Sequence, residues 1–170
     1  MKVQLTTLPT PSHIASALPG ADFADCYRFA DPDPQASALE TYLALVARTP
    51  SWMNALMALR NRVVALVGLK HLGSMGPADA AKPASAYRLG DRIGIFTLRR
   101  AEPHEVIVFD DDKHLRVQLS LCKHVVSGQA VVSVSTVVHI HNRLGTVYMS
   151  VVGPVHRFIV PRMLAQVTHG

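Results

Sequence analysis

Histidines at the ends of two predicted strands are the side chains whose types and spacing come closest to a metal site. His114 begins one strand, His139 and His141 end another, and pairing the two strands across a hairpin sets His114 opposite His141. Histidines two apart on a strand point the same way, so with Asp112 they could give a divalent metal three ligands. An acidic run is also typical of a tight turn, and imidazoles on a polar face can simply meet water. We therefore expect structural roles and no metal.

Other reactive residue types lack the surroundings that chemistry would need. No G-x-S-x-G elbow occurs and no glycine-rich dinucleotide loop follows a strand, so we expect no cofactor and favour a binding protein over an enzyme. Cys26 and Cys122 share no motif spacing, which predicts reduced thiols in a cytoplasmic setting, with a catalytic thiol as the alternative. His156, inside an apolar stretch, is either a packed histidine or a titratable group facing a cavity.

A long β-hairpin is the element that would position these groups. Residues 114–122 and 130–141 are rich in β-branched and apolar residues, and Ser127-Gly128 suits the turn between them. With that turn as centre, apolar residues meet across nearly every rung, and Arg116, Gln118 and Ser120 fall on the other face. A slip of one residue would scramble both faces. The opposed residues are Leu115, Val117, Leu119 and Leu121 on one strand and Ile140, Val138, Thr136 and Val134 on the other.

The remaining elements complete an α+β pattern. We predict strands at 2–7, 22–30, 91–100 and 105–109, helices at 35–47 and from Pro50 onward, and a long helix after Asn142, which should cap it. Pro154 should kink that helix or split it after Gly153. A mostly apolar helix beside a β-rich half must lie against the sheet. The sequence therefore predicts a curved antiparallel sheet wrapped around a long C-terminal helix.

Composition fits one domain over residues 1–170, with an N-terminal extension at 1–20 and a long loop at 68–90. Apolar residues make up 49% and charged residues 17% of the chain, enough for a core without disulfide or metal. Residues 146–160 are too short and too broken by polar residues to span a membrane, which needs about 20 apolar residues. The first residues carry no apolar run typical of a secretory signal.

Charge is distributed unevenly along the chain. All acidic residues lie between Asp22 and Asp112, and the net charge is +5. A basic surface can attract nucleic acid, acidic lipid or an anionic ligand. The lysines and arginines do not cluster and no aromatic stacking motif lies among them, so we expect solvated charges and no nucleic-acid partner.

Short motifs along the chain resemble a bacterial family, domain of unknown function 2867. They lie at residues 18–22, 49–52, 59–61, 68–70, 90–96, 111–115 and 141–145. The order of elements resembles the helix-grip fold of Bet v 1 pollen allergens, START lipid-transfer domains and polyketide cyclases. The resemblance implies a cavity between sheet and helix. Family members also resemble domains attached to short-chain dehydrogenase-like proteins. Because nothing here matches a glycine-rich dinucleotide loop after a strand, we expect no such domain in this sequence.

The cavity that this fold implies is the predicted binding site, for an apolar or amphipathic small molecule. Arg92, Tyr87 and His156 are its polar candidates, and a cyclase-like or hydratase-like enzyme using the same cavity is the alternative. A third alternative is an interaction domain without a ligand. The predicted apolar lining is Trp52, Leu56, Met57, Val117, Leu119, Val134, Val138, Tyr148, Val152, Val155 and Ile159.

A second apolar surface is predicted on the other face of the sheet. Pairing residues 91–100 with 105–109 across a turn at 101–104 sets Phe96, Leu98, Ile107 and Phe109 on the face opposite the core. Such a patch needs either an N-terminal segment over it or a second subunit, so a weak homodimer is expected as one outcome.

Overall fold

A seven-stranded antiparallel sheet forms the centre of the computed structural model, which describes residues 2–55, 58 and 82–169. The spatial order is β1-β2-β7-β6-β5-β4-β3, so the longest strands lie in the middle. The predicted α+β class and curved sheet are confirmed. The strands are β1 Gln4–Leu5, β2 Phe23–Ala30, β3 Arg92–Ile93, β4 Phe96–Ala101, β5 Glu105–Asp111, β6 Leu115–Val126 and β7 Gln129–Ile140.

Two helices pack on one face of this sheet. Helix α1, Ala38–Ala47, begins with a capping box in which Ser37 and Glu40 bond each other's backbone amides. Helix α2, Arg143–His169, closes the fold. Residues 51–55 and 58 are helical, close to the predicted start at Pro50. The other residues of that predicted helix and the 68–81 part of the predicted loop lie outside the described residues. Shorter 3-10 helices span His13–Ala17 and Ala84–Ala86.

The β6–β7 hairpin has the register that the sequence predicts. Leu115 pairs with Ile140, Leu119 with Thr136 and Leu121 with Val134. Ser127 and Gly128 form the turn, with φ angles of 51° and 80°. Positive φ at both positions is the type I′ geometry whose twist matches the flanking strands.

One face of the sheet carries the main core. Val106, Val108, Leu121 and Val134 point to this side and pack with Leu39 and Tyr42 of α1 and Leu164 of α2. Helix α1 lies over β5 and β6, and α2 lies over β2 and β7. The buried ammonium of Lys123 anchors α1, since it bonds the Asp33 carbonyl at 2.8 Å and the Asp31 carboxylate at 3.2 Å.

The N-terminal segment covers the opposite face of the sheet. Ile14 packs on Ile107 and Val137, and the side chains of Gln118 and Ser120 are buried beneath it. The Glu105 carboxylate, 2% exposed, holds this segment in place. It accepts the hydroxyl of Ser12, the hydroxyl of Ser120 at 2.5 Å and the backbone amide of His13 at 2.8 Å. The polar set is therefore on the predicted face, where Gln118 and Ser120 are buried and Arg116 is exposed.

A β-bulge changes which residues of β4 face the core. Leu98 pairs with Val108 while Arg100 pairs with Ile107, so Arg99 is the extra residue. Leu98 is therefore buried in the main core and Phe96 packs against it, which corrects the prediction that both lie on the opposite face. Of the predicted patch, Ile107 is covered by the N-terminal segment and Phe109 lies half-buried near the Arg99 guanidinium. The surface proposed for a homodimer does not form.

Helix α2 continues through both of its prolines. The predicted cap is present, since the Asn142 side chain accepts the Gly145 amide at 3.1 Å. Of the kink or split predicted at Pro154, the split does not occur. Each proline leaves a carbonyl four residues earlier without its helical donor. For Pro154 that carbonyl belongs to the exposed Ser150, where water can bond it. For Pro161 it belongs to Arg157, whose carbonyl accepts the Tyr27 hydroxyl at 3.4 Å.

Two glycines of α2 provide a matched test of how the helix docks. A Cβ at position 145 would lie 2.4 Å from the backbone oxygen of His114, whereas one at position 153 would only touch the Phe23 ring at 3.7 Å. We expect Gly145→Ala to lower the free energy of unfolding by roughly 1–3 kcal/mol through overpacking. Gly153→Ala should be neutral or raise it by up to about 1 kcal/mol, since alanine favours a helix. Urea unfolding followed by circular dichroism measures both, and equal changes would contradict this docking.

Both cysteine thiols should be unreactive in the folded protein. Burial raises the pKa of Cys26, and burial together with the nearby Glu105 carboxylate and Cys26 raises the pKa of Cys122 to about 12. Because only the thiolate attacks a disulfide reagent, we expect no reaction with Ellman's reagent at about pH 8. Two thiols per chain should react once urea unfolds the protein. A thiol that reacts before the unfolding transition would show that local opening of the fold exposes the strand that carries it.

Candidate functional site

An open groove of about 950 Å³ lies along one side of α2. Trp52, from the helical segment 51–55, faces α2 across it, and Val155 and Ile159 form part of its floor. The spacing of the α2 residues follows the helical repeat, so one stripe of the helix provides most of the lining. The full described lining is Trp52, Pro154, Val155, Phe158, Ile159, Arg162, Ala165 and Gln166.

The polar side chains of the described lining are Trp52, Arg162 and Gln166. The Trp52 indole nitrogen donates to the Gln166 side-chain oxygen at 3.0 Å, a bond that ties the two walls together. The Arg162 guanidinium stacks on the Phe158 ring with its central carbon 3.4 Å from the ring centroid. Among the described residues, no carboxylate lies within ion-pair distance of Arg162. As far as the described residues define it, the groove therefore combines apolar walls with the Arg162 cation, which has no carboxylate partner among them.

A buried aspartate and a half-buried histidine form a pair where α2 meets the sheet. His156 Nδ1 lies 3.1 Å from the Asp25 carboxylate, and the His156 ring stands edge-on to the Phe23 ring at 5.7 Å. The Asp25 side chain is 2% exposed, and its second oxygen has no hydrogen-bond partner in the described part of the chain. A carboxylate bonded to Nδ1 fixes the orientation of an imidazole and leaves Nε2 as the nitrogen that can exchange a proton.

The predicted ligand residues fall into separate groups in the structure. Trp52, Val155 and Ile159 line the groove, while Val117, Leu119, Val134 and Val138 lie on the core face of the sheet. Tyr148 and Val152 are half-buried on α2. The predicted residues Leu56 and Met57 lie outside the described residues.

Two of the predicted polar groups have structural partners. Tyr87 is buried in the main core with the Lys82 ammonium 4.4 Å from its ring centroid. Lys82 in turn bonds Asp91 at 2.6 Å, which fixes this end of the predicted loop. The Arg92 guanidinium donates to the Ile95 carbonyl at 2.9 Å, within the turn between β3 and β4. Neither residue is among the described lining of the groove.

The histidines considered for a metal bond separate partners. His114 is buried and its Nδ1 lies against the Asn142 side chain, while His139 Nε2 is 3.3 Å from the Pro19 carbonyl. His141 Nδ1 is 3.0 Å from the Asp112 carbonyl. Over the ranges that the structure describes, no three such side chains are arranged to hold a metal ion. Asp112 serves the tight turn, since its side chain accepts the His114 amide at 2.7 Å.

Sequence reasoning missed Asp25 and Arg162, although each carries a signal. Asp25 lies between Phe23 and Tyr27 at positions that alternate toward the core, so a carboxylate there must be buried and needs a partner. Arg162 lies seven residues after Val155, two turns further along the same stripe of α2. Both could be found by extending the strand and helix periodicities to their polar members.

No helix in the ranges 2–55 and 82–169 combines the length and apolar character that crossing a membrane requires. Comparison with known proteins gives one result. The family described as "Protein of unknown function (DUF2867)" matches residues 17–163, which include all of the sheet except β1 and most of α2. No curated protein and no solved structure matches the chain. The chain therefore belongs to the DUF2867 family.

Proposed function

We propose that this protein binds an amphipathic small molecule with an anionic end in the groove between Trp52 and α2. The observation that carries the proposal is the groove itself, about 950 Å³ in volume with apolar walls and Arg162 at one end. Small-molecule sites are typically apolar clefts of about 300–1,000 Å³ in which a few polar groups fix the ligand's orientation. This groove has that size and that distribution of polarity.

The charge around the groove favours an acid over a neutral ligand. Arg162 has its guanidinium on the Phe158 ring and the chain has no acidic residue after Asp112. A carboxylate that binds Arg162 would therefore not compete with a neighbouring acid on α2. Charge-assisted hydrogen bonds from a guanidinium are about twice as strong as neutral ones. A fatty or aromatic acid satisfies both the apolar walls and this cation.

Intrinsic fluorescence gives a direct test, because Trp52 is the single tryptophan of the chain. We expect decanoate to change Trp52 emission saturably and to displace anilinonaphthalene sulfonate, with decanol binding more weakly. Arg162→Gln should remove most of the preference for the acid, a loss of roughly tenfold or more for one charged hydrogen bond. Arg143→Gln, an exposed arginine at the start of the same helix, is the control and should leave the preference intact.

A substitution that fills the groove tests whether binding occurs there or elsewhere on α2. Val155 lines the groove, whereas Val151 lies one turn earlier, is 64% exposed and is not part of the lining. We expect Val155→Phe to weaken binding and Val151→Phe to leave it unchanged. Absence of saturable binding, or equal effects of the two variants, would exclude this site and favour an interaction domain without a ligand.

The Asp25–His156 pair favours a second candidate function, an enzyme that adds or removes water by proton transfer at His156. Asp25 is buried and positions the imidazole, so His156 Nε2 could act as the acid or base. His156 follows Val155 on the helix that forms the groove, but it contacts Asp25 and Phe23 and is not among the described residues that line the groove. This candidate would bind the same class of ligand as the binding function. It would differ only in converting that ligand chemically.

Mass spectrometry can distinguish an enzyme from a binding protein. We expect an enzyme to deplete a compound from a bacterial metabolite extract and to produce one that differs by a water. His156→Gln should abolish that change while retaining binding at the groove, and Asp25→Asn should reduce it by misorienting the imidazole. A depletion that persists in His156→Gln, or no depletion by the wild type, would eliminate this candidate.

A further inference from the structure

A second, polar cleft of about 360 Å³ lies on the opposite face of the sheet from the α2 groove. The N-terminal segment forms one wall through Ser12, His13 and Ser16. Strand β4 forms the other wall through Arg99 and Arg100, and Gln118 and Ile107 lie between them. The cleft is independent of the function proposed above, since the two share no lining residue.

The β-bulge is what brings two arginines to this cleft. Successive residues of a regular strand point to opposite faces of the sheet, so only one of Arg99 and Arg100 would reach a given side. The bulge makes Arg99 the extra residue, and both arginines line the same cleft. Bulges commonly re-aim a side chain in this way next to binding sites.

The wall opposite the arginines is held rigidly. Glu105 bonds Ser12, Ser120 and the His13 amide, which uses both of its carboxylate oxygens. Because the cleft is the gap between this fixed segment and β4, its width is set by the structure before any ligand arrives. Preorganisation of this kind reduces the entropy that binding would otherwise cost.

The charges in the cleft leave one guanidinium without a carboxylate. Arg100 is paired with Glu102, which also lies 3.3 Å from His13 Nε2. Arg99 bonds the Gln118 side-chain oxygen, at 3.3 Å, and packs near the Phe109 ring. Within the described ranges no carboxylate lies within ion-pair distance of Arg99. The positive charge of Arg99 is therefore available to a ligand in the cleft.

Gln118 supplies a second donor beside that charge. Strand β6 fixes Gln118, which is 8% exposed, and its oxygen is taken by Arg99. Its amide nitrogen has no hydrogen-bond partner in the described part of the chain. A guanidinium and an amide N–H₂ side by side match the oxygens of a carboxylate or a phosphate.

We propose that this cleft binds a small organic anion through its carboxylate or phosphate group, with Arg99 and Gln118 as the principal donors. The volume of about 360 Å³ is near the lower end for ligand sites. That size suits a short organic acid or a phosphate monoester. Ile14, Ala17 and Ile107 give the cleft a short apolar lining against which the ligand's carbon skeleton can pack.

Amide NMR of the full chain tests the proposal, with succinate and inorganic phosphate as the two probes and sodium chloride at matched ionic strength as the blank. We expect at least one probe to shift the Gln118 side-chain amide signals saturably. The probe that binds identifies the ligand's anionic group as carboxylate or phosphate. If neither shifts these signals at up to about 10 mM, tenfold above a weak millimolar affinity, the proposal is wrong.

Matched variants show whether the binding belongs to this cleft. Arg99→Gln should weaken the affinity about tenfold or more, while Arg143→Gln, which makes the same charge change at the start of α2, should not. Gln118→Leu should also weaken binding and provides a second variant if Arg99→Gln disturbs the bulge. Circular dichroism confirms that each variant is folded. Equal affinity in wild type and both cleft variants would overturn the proposal, as would equal losses in Arg99→Gln and Arg143→Gln.

Discussion

The central pairing of β6 with β7 buries polar side chains, and the rest of the structure must supply hydrogen-bond partners for them. These two strands lie at the centre of the sheet and both of their faces are covered, one by the helices and one by the N-terminal segment. Several polar side chains on these two strands, among them Ser120, Ser133 and Ser135, have therefore lost water. A buried polar group without a partner costs about 1–3 kcal/mol, and a buried charge costs more. The surrounding elements have to supply those partners.

Three buried charged side chains have such partners, and each of them fixes the position of a different peripheral element. Lys123 holds the turn before α1, Glu105 holds the N-terminal segment, and Asp25 holds α2 through His156. Such contacts contribute little net stability, because desolvation offsets their attraction. What they provide is position, since an element that slipped would leave a charge buried and unpaired. The groove and the cleft are both bounded by elements that are held in this way.

The sequence predicts the regular part of this structure well, because there one residue's environment follows from strand or helix periodicity. The hairpin register, the Asn142 cap and the long C-terminal helix are all present. The predicted face of Leu98 is wrong because a bulge adds one residue to β4, and nothing local in the sequence marks it. Of the kink or split predicted at Pro154, the split does not occur, because the released carbonyl lies on the exposed side of α2. Strand periodicity points Asp25 toward the core, but it does not reveal the partner, since His156 is 131 residues away in the sequence.

The turn at Ser127 and Gly128 also has a consequence for how the sheet assembles. A two-residue type I′ turn joins neighbours in sequence, so the β6–β7 hairpin can form with little loss of chain entropy. Strand β2, by contrast, pairs with β7 across most of the chain, Phe23 lying beside Val138. Contacts so distant in sequence form slowly, since the intervening chain must first be brought together. Until β2 pairs with β7, one edge of β7 has unpaired backbone N–H and C=O groups along a strand that includes valines and a threonine. In that interval a growing or refolding chain is most exposed to pairing with another copy.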